Sequence, residues 1–157
     1  MPRSVAGAII GGGLLAGLID ITYACAYTYF FGSGATPDRV FKYVASGWFG
    51  IDAARAGGGE MIALGAISHF GIVVVMAAVY VLARLRVRVL ATKWFLFGPL
   101  YGAALYLAMN FIVVPLSNAP DPQFPFWPTF TGVIVHMIGI GMVIAFFAAK
   151  IEHAPAT

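Results

Sequence analysis

The sequence predicts an all-α membrane protein, a four-helix bundle whose transmembrane helices run up, down, up and down. Among 157 residues, 61% are hydrophobic and 10% are charged, which is too apolar for a soluble globular domain. Four apolar stretches also reach the length of about 20 residues that crosses a bilayer. The predicted spans cover about 5–31, 61–83, 94–116 and 127–149, and the whole chain, 1–157, forms a single transmembrane domain.

The first span carries Asp20 as its one ionisable group. Arg3, the apolar run and the small residues 24–26 resemble a secretory signal, but the run is too long and Asp20 interrupts it, so we expect a retained helix. Gly13 and Gly17 belong to a row of small residues that lets a neighbouring helix approach closely. We therefore expect Asp20 to point into the protein. Cys25, in apolar surroundings, is expected to be an inert buried thiol.

The first connection predicts a short helix over about 37–56. Thr36, Pro37 and Asp38 form a favourable helix start, and the three glycines 57–59 end the pattern. Apolar residues at three- and four-residue spacing predict a helix that lies flat on the membrane surface; they are Val40, Phe41, Val44, Trp48 and Ile51. The proline-rich connection 118–128 is expected to be extended, with aromatic residues at the lipid headgroups, and the two connections to form either a lid or plain membrane anchors.

The basic residues predict the orientation of the bundle. The connection after the second span carries Arg84, Arg86, Arg88 and Lys93, whereas residues 117–126 contain no basic residue. Because basic residues are enriched in cytoplasmic connections, both termini are expected to be cytoplasmic, consistent with Arg3 and Lys150. The predicted partner is the lipid bilayer, with no nucleic acid, since the basic cluster lacks interleaved aromatic residues.

The third and fourth spans contain further sites for close helix packing. Gly98 and Pro99 are expected to loosen the cytoplasmic end of the third span, and Gly102 offers a contact point. Gly132, Gly139 and Gly141 do the same for the fourth span. Faces this rich in small residues also favour a homo-oligomer or a place in a larger membrane complex.

Counting helical rise predicts one polar layer, formed by Asp20, His69, His136 and Asn110. Each histidine lies about nine residues, or roughly 13 Å, from the outer end of its span. Asp20 lies slightly deeper and Asn110 slightly shallower, so all four helices contribute to one level of the outer leaflet. Further candidate ligand contacts near this level are Tyr23 and Tyr27.

Three interpretations of the polar layer are open from the sequence. It could be a structural network that holds the helices in register. It could hold a cofactor, either haem b between His69 and His136 or a divalent metal on Asp20, His69 and His136. In the haem interpretation, room for the macrocycle comes from Gly65, Gly71, Gly132 and Gly139. It could also serve a proton-coupled small-molecule carrier that acts as an oligomer. Since no catalytic motif is present, we expect a non-enzymatic binding or accessory membrane protein.

The order of these features resembles the YagU-like family of small bacterial inner-membrane proteins. The resemblance is carried by the glycine-rich first span with its acid, by Ser68-His69-Phe70 followed by Ala77-Ala78-Val79-Tyr80, by Gly102 with Pro115-Leu116, and by His136. It implies four helices and a location in the bacterial cytoplasmic membrane. It implies no particular biochemical activity.

Overall fold

The computed structural model describes residues Ser4–Ile151 and contains four helices long and apolar enough to cross a membrane. The first is α1 (Val5–Phe30), and the second is α4 (Gly59–Arg86). The third is α6 (Trp94–Ala108), which continues as a π-helix over Met109–Val113. The fourth comprises α7 (Phe126–Val135), a π-helix over His136–Met142 and α8 (Val143–Ala149). Two short helices, α2 (Pro37–Phe49) and α3 (Ile51–Ala56), follow α1, and the one-turn α5 (Val89–Thr92) follows α4.

The four predicted spans are confirmed as helices, with three corrections to their surroundings. The second helix starts at Gly59 and ends at Arg86, so Arg84 and Arg86 belong to the helix and not to the connection. The third helix ends at Val113 and does not reach residue 116. The predicted helix over 37–56 is two helices, α2 and α3, separated at Gly50. Arg3, used for the predicted orientation, lies outside the described residues.

The helix α1 packs between α4 on one side and the fourth span on the other. A side chain at Gly13 would collide with the backbone of Val74, and one at Gly17 would collide with the ring of Phe70. Gly12 abuts the fourth span at Phe147. The row of small residues on α1 is therefore a close-packing surface, as its spacing predicted.

The third and fourth spans make an equally close contact. Gly102 lies against the backbone of His136, and Gly98 lies against the backbone at Gly141 and Met142. The helix α6 runs through Pro99 without ending. Its link to α4 is made by a side chain, since the hydroxyl of Tyr101 donates to the carbonyl oxygen of Met76 at 2.8 Å.

The helix α2 packs on the N-terminal third of α4 through small residues and its own backbone. Ala45 and Ser46 are fully buried, and the backbone of Phe41 lies against Gly65. Trp48 donates from Nε1 to the hydroxyl of Ser68 at 2.9 Å, although 60% of its side chain is exposed. Tyr43, Trp48 and Phe49 thus point away from the bundle, whereas the small residues of α2 face it.

The connection after the first span and the connection after the third span contact each other. Asn118 donates from its backbone N–H to the carbonyl oxygen of Gly47 at 3.0 Å and from Nδ2 to that of Trp48 at 2.8 Å. Thr36 has the extended backbone of a helix cap, but its side chain makes no capping hydrogen bond. The end of α2 therefore ties α4 to the segment that follows the third span.

The apolar core lies in the half of the bundle away from these connections. Small and branched residues of α4 and α8 fill it, among them Ala77, Val81, Ile144 and Ala145. Arg84 closes this end of the core; it is buried, and its Nη2 donates to the carbonyl oxygen of Ile151 at 3.0 Å. This bond satisfies part of the buried guanidinium, while its Nε has no hydrogen-bond partner among the described residues.

Candidate ligand-binding site between the spans

Both histidines of the predicted polar layer meet one turn of α1, from Gly17 to Asp20. His69, only 9% exposed, forms a 2.9 Å hydrogen bond between Nε2 and the carbonyl oxygen of Gly17. His136 places Nδ1 3.8 Å from Oδ1 of Asp20. Ionisable side chains from three spans thus lie at the same turn of α1.

The hydrogen bonds fix which nitrogen of each ring carries the proton. A backbone carbonyl only accepts, so the Nε2 of His69 must carry its hydrogen and Nδ1 is left as an acceptor. His136 donates from Nδ1 to the carbonyl oxygen of Gly132 at 3.0 Å, which leaves Nε2 as its acceptor in the neutral ring. The two rings therefore use opposite nitrogens for anchoring.

Asp20 differs from both histidines because no hydrogen bond reaches its carboxylate from any residue within Ser4–Ile151. Its one ionic neighbour there is His136, and the 3.8 Å separation is longer than a hydrogen bond. The side chains of Asp20 and His136 keep 19% and 15% of their surface accessible. Asp20 is thus a partly accessible acceptor inside a membrane-spanning helix.

Asn110 does not join the three ionisable residues. Its Nδ2 donates to the carbonyl oxygen of Tyr106, four residues earlier on the same helix, at 2.9 Å. The prediction that Asn110 completes the interhelical network is therefore wrong in this structure, although Asn110 remains near the layer as a candidate contact. Asn110 is the second residue of the π-helix Met109–Val113, and its amide bonds within its own helix instead of to a neighbouring span.

The two candidate tyrosines lie on α1, C-terminal to Asp20. The hydroxyl of Tyr23 lies 2.6 Å from that of Thr131, and Thr131 donates to the carbonyl oxygen of Trp127. Because the hydrogen of Thr131 is used in this way, Tyr23 is the donor of the pair. Tyr27 packs against Tyr23 with ring centroids 5.7 Å apart. The hydrogen bond between Tyr23 and Thr131 thereby joins the first and fourth spans one helical turn C-terminal to Asp20.

Both π-helices of the described chain coincide with residues of the polar layer. His136 begins the segment His136–Met142, and Asn110 lies in Met109–Val113. Each side chain donates to the carbonyl four residues earlier, where the helical hydrogen-bond ladder changes register. Since π-helical turns are rare and are frequent at functional sites, they mark this level independently of its polar residues.

Tyr106 is a residue of the site that the sequence analysis did not select. Its ring meets the ring of His136 edge to face, with centroids 5.2 Å apart, and it packs on Gly132. Its position four residues before Asn110 places both on one helical face, which is a signal that the sequence does contain.

The residues of the layer do not fit a haem. Three of the four glycines expected to make room are packed against protein: Gly65 against Phe41, Gly132 against Tyr106 and Gly139 against Ile19. Only Gly71 faces open space. The Nε2 of His69, the nitrogen that usually ligates haem iron, is bound to Gly17. The glycines serve helix packing.

A three-ligand metal site is not assembled either. Within the described range, no three His, Cys, Asp or Glu side chains are placed to share a metal ion. Asp20 and His136 approach each other, while His69 is directed to the α1 backbone. The proposed set of Asp20, His69 and His136 thus does not form a coordination sphere in this structure.

An apolar groove of about 550 Å³ lies elsewhere, between α1 and α2, with Cys25, Tyr29 and Phe41 among its lining residues. It includes neither Asp20 nor a histidine.

Comparisons with protein-family models, with curated proteins and with solved structures find no match to this chain.

Proposed function

We propose that this multi-pass protein resides in the bacterial cytoplasmic membrane and binds a small ligand at Asp20, as a binding or accessory protein. The observation that carries the proposal is the Asp20 carboxylate, which lies inside a span and accepts no hydrogen bond within Ser4–Ile151. An unsatisfied carboxylate at membrane depth costs several kcal/mol by most estimates. A ligand that satisfies it would offset this cost.

A purely structural role fits Asp20 less well than it fits its neighbours. The bonds that join helices are made by His69 with Gly17 and by Tyr23 with Thr131. Asp20 contributes no such hydrogen bond, and its contact across the spans is the 3.8 Å approach to His136. The carboxylate is the ionisable group of the layer that structure alone leaves unexplained.

The proposed topology places both termini in the cytoplasm and α2 at the outer surface. The basic residues Arg86, Arg88 and Lys93 support this orientation. Large exposed side chains on α2, such as Trp48 and Phe49, suit contact with lipid. The resemblance to YagU-like proteins supports the bacterial membrane as the location.

A hydrophobic carbodiimide tests whether Asp20 is an available ligand site. Such reagents modify protonated carboxyl groups that are reachable within the membrane. In the full chain reconstituted in lipid vesicles, we expect dicyclohexylcarbodiimide to modify Asp20, with the site identified by peptide mass spectrometry. The Asp20→Asn variant should lose this modification, and Glu60→Gln, a change at the exposed start of α4, should retain it. An unmodified Asp20 in folded protein would contradict the proposal.

A further inference from the structure

We propose that a second groove, between α4, α5 and α6, binds an anionic phospholipid of the surrounding membrane. One acyl chain of the lipid lies in the groove, and its phosphate lies against three basic residues at the end of the groove. The inference goes beyond the proposed function, because it involves neither Asp20 nor the polar layer.

The groove has a volume of about 280 Å³ and is formed by three helices. Val79 and Leu100, which line it, expose 54% and 55% of their surface, so the groove is open at the lipid-facing side of the spans. The other lining residues include Tyr80 and Ala83 of α4, Leu90 of α5, and Phe97 and Tyr101 of α6.

The polar side-chain atoms in the walls of the groove already have partners. The hydroxyl of Tyr80 donates to the carbonyl oxygen of Leu90 at 3.0 Å, and that of Tyr101 donates to the carbonyl oxygen of Met76 at 2.8 Å. The rings of Tyr80 and Tyr101 lie side by side, with centroids 5.0 Å apart. The groove therefore offers carbon surface instead of hydrogen-bonding groups, which suits a hydrocarbon chain.

Each helix that lines the groove has a basic residue at the same end, and we call these three residues the basic rim: Arg86, Arg88 and Lys93. Arg86 lies three residues after Ala83, so both are on one face of α4. Lys93 lies one turn before Phe97, whose N–H donates to the carbonyl oxygen of Lys93. All three side chains of the basic rim are exposed.

No carboxylate neutralises the basic rim from the helices that form the groove. After Glu60, at the opposite end of α4, the next acidic residue in the chain is Asp121, so the rest of α4, α5 and α6 contain none. Within Ser4–Ile151, no residue of the basic rim forms an ion pair; Glu152 lies outside this range. An excess of positive charge beside an open apolar groove is complementary to an anionic phosphate that carries an acyl chain.

The dimensions and the charge together specify the lipid. Val79 lies seven residues before Arg86, which is roughly 10 Å of helical rise, so the groove takes the part of an acyl chain nearest its headgroup. A zwitterionic headgroup also carries an ammonium group, which the basic rim repels. An anionic phospholipid is therefore preferred over a zwitterionic one with the same acyl chains.

Native mass spectrometry of the full chain in detergent tests the headgroup with two lipids of identical chains. Wild-type protein should bind one dioleoyl phosphatidylglycerol with a lower Kd than dioleoyl phosphatidylcholine. The pair Arg88→Gln and Lys93→Gln should weaken phosphatidylglycerol binding by about fivefold for each residue and leave phosphatidylcholine binding unchanged. The control pair Arg39→Gln and Arg55→Gln, at exposed positions of α2 and α3, should bind phosphatidylglycerol like wild type.

The groove is tested by filling it. Ala83→Phe places a ring in the groove and should weaken the binding of both lipids. Leu82→Phe, at the neighbouring exposed position outside the groove, is the matched control and should bind both lipids like wild type. Circular dichroism checks that the variants fold.

Each part of the proposal has a result that overturns it. Equal Kd values of the two lipids for wild-type protein, a comparison that needs no variant, would overturn the preference for an anionic headgroup. Equal losses in the two arginine and lysine variant pairs would mean that surface charge alone attracts the lipid. Equal affinities of Ala83→Phe and Leu82→Phe would show that no acyl chain occupies the groove. None of these results bears on the labelling of Asp20, so the proposed function stands or fails separately.

Discussion

The imidazole of His69 donates from Nε2 to the carbonyl oxygen of Gly17, 2.9 Å away on a neighbouring span. Because Gly17 carries no side chain, the ring of Phe70 packs directly against the α1 backbone beside this bond. The bond fixes the turn of α1 that presents Asp20 to His136. The position of Asp20 therefore depends on a glycine and a histidine that are not themselves charged partners of it.

Replacement of His69 by Phe should destabilise the bundle modestly. The change keeps an aromatic ring of similar size but removes the donor, and one hydrogen bond contributes about 1 kcal/mol to the free energy of unfolding. We expect a lower denaturation midpoint in detergent, followed by tryptophan fluorescence. Ile67→Val, at a highly exposed position two residues earlier, is the control and should leave the midpoint nearly unchanged. Equal midpoints for His69→Phe and wild type would show that this bond contributes nothing.

Gly102→Ala should be one of the most damaging single substitutions in the chain. A methyl group at Gly102 would collide with the backbone of His136, which cannot move without separating the third and fourth spans. Overpacking of this kind costs about 1–3 kcal/mol or more. Gly71→Ala is the matched control, since nothing lies within 4 Å of that position, and it should preserve or slightly raise stability. Similar thermal midpoints for the two variants would contradict the close packing.

Hydropathy and helical rise were sufficient to predict the four spans and the common depth of Asp20, His69 and His136. Both depend on regular features of the chain, namely apolar length and a fixed rise per residue. The bond of Asn110 within its own helix was not predictable in this way, because depth along a helix does not determine which partner a side chain takes. The burial of Arg84 was missed for a related reason, since a charged residue near a helix end looks the same in sequence whether it caps a core or faces solvent.

Replacement of Gly50 by any residue with a side chain should destabilise the junction between α2 and α3. The backbone of Gly50 has φ of 81° and ψ of 164°, a region that is essentially restricted to glycine. The sequence pattern ran across this residue without interruption, so the break between α2 and α3 could not be read from periodicity alone. Gly50→Ala should cost about 1–3 kcal/mol locally and increase proteolysis between the two helices. Gly47→Ala, which meets only ordinary contacts at Ser117, is the control and should be cleaved like wild type.

The hydrogen bond between Trp48 and Ser68 should hold α2 against α4. Ser68→Ala and Trp48→Phe each remove this bond, so each should speed amide hydrogen exchange in α2. In the double variant, the two effects on exchange should not add, because both substitutions remove the same interaction. Additive effects would mean that each residue acts through separate contacts.

The central claim is that both histidines are anchored to backbone carbonyls at the turn that carries Asp20, and the position of the ring hydrogens tests it most directly. We expect ¹⁵N NMR of histidine-labelled protein to show a hydrogen on Nε2 of His69 and on Nδ1 of His136. Single His69→Gln and His136→Gln variants would assign the signals and separate them from His153. The reverse pattern, with the hydrogen only on Nδ1 of His69 and only on Nε2 of His136, would be incompatible with the bonds to Gly17 and Gly132 and would contradict the account.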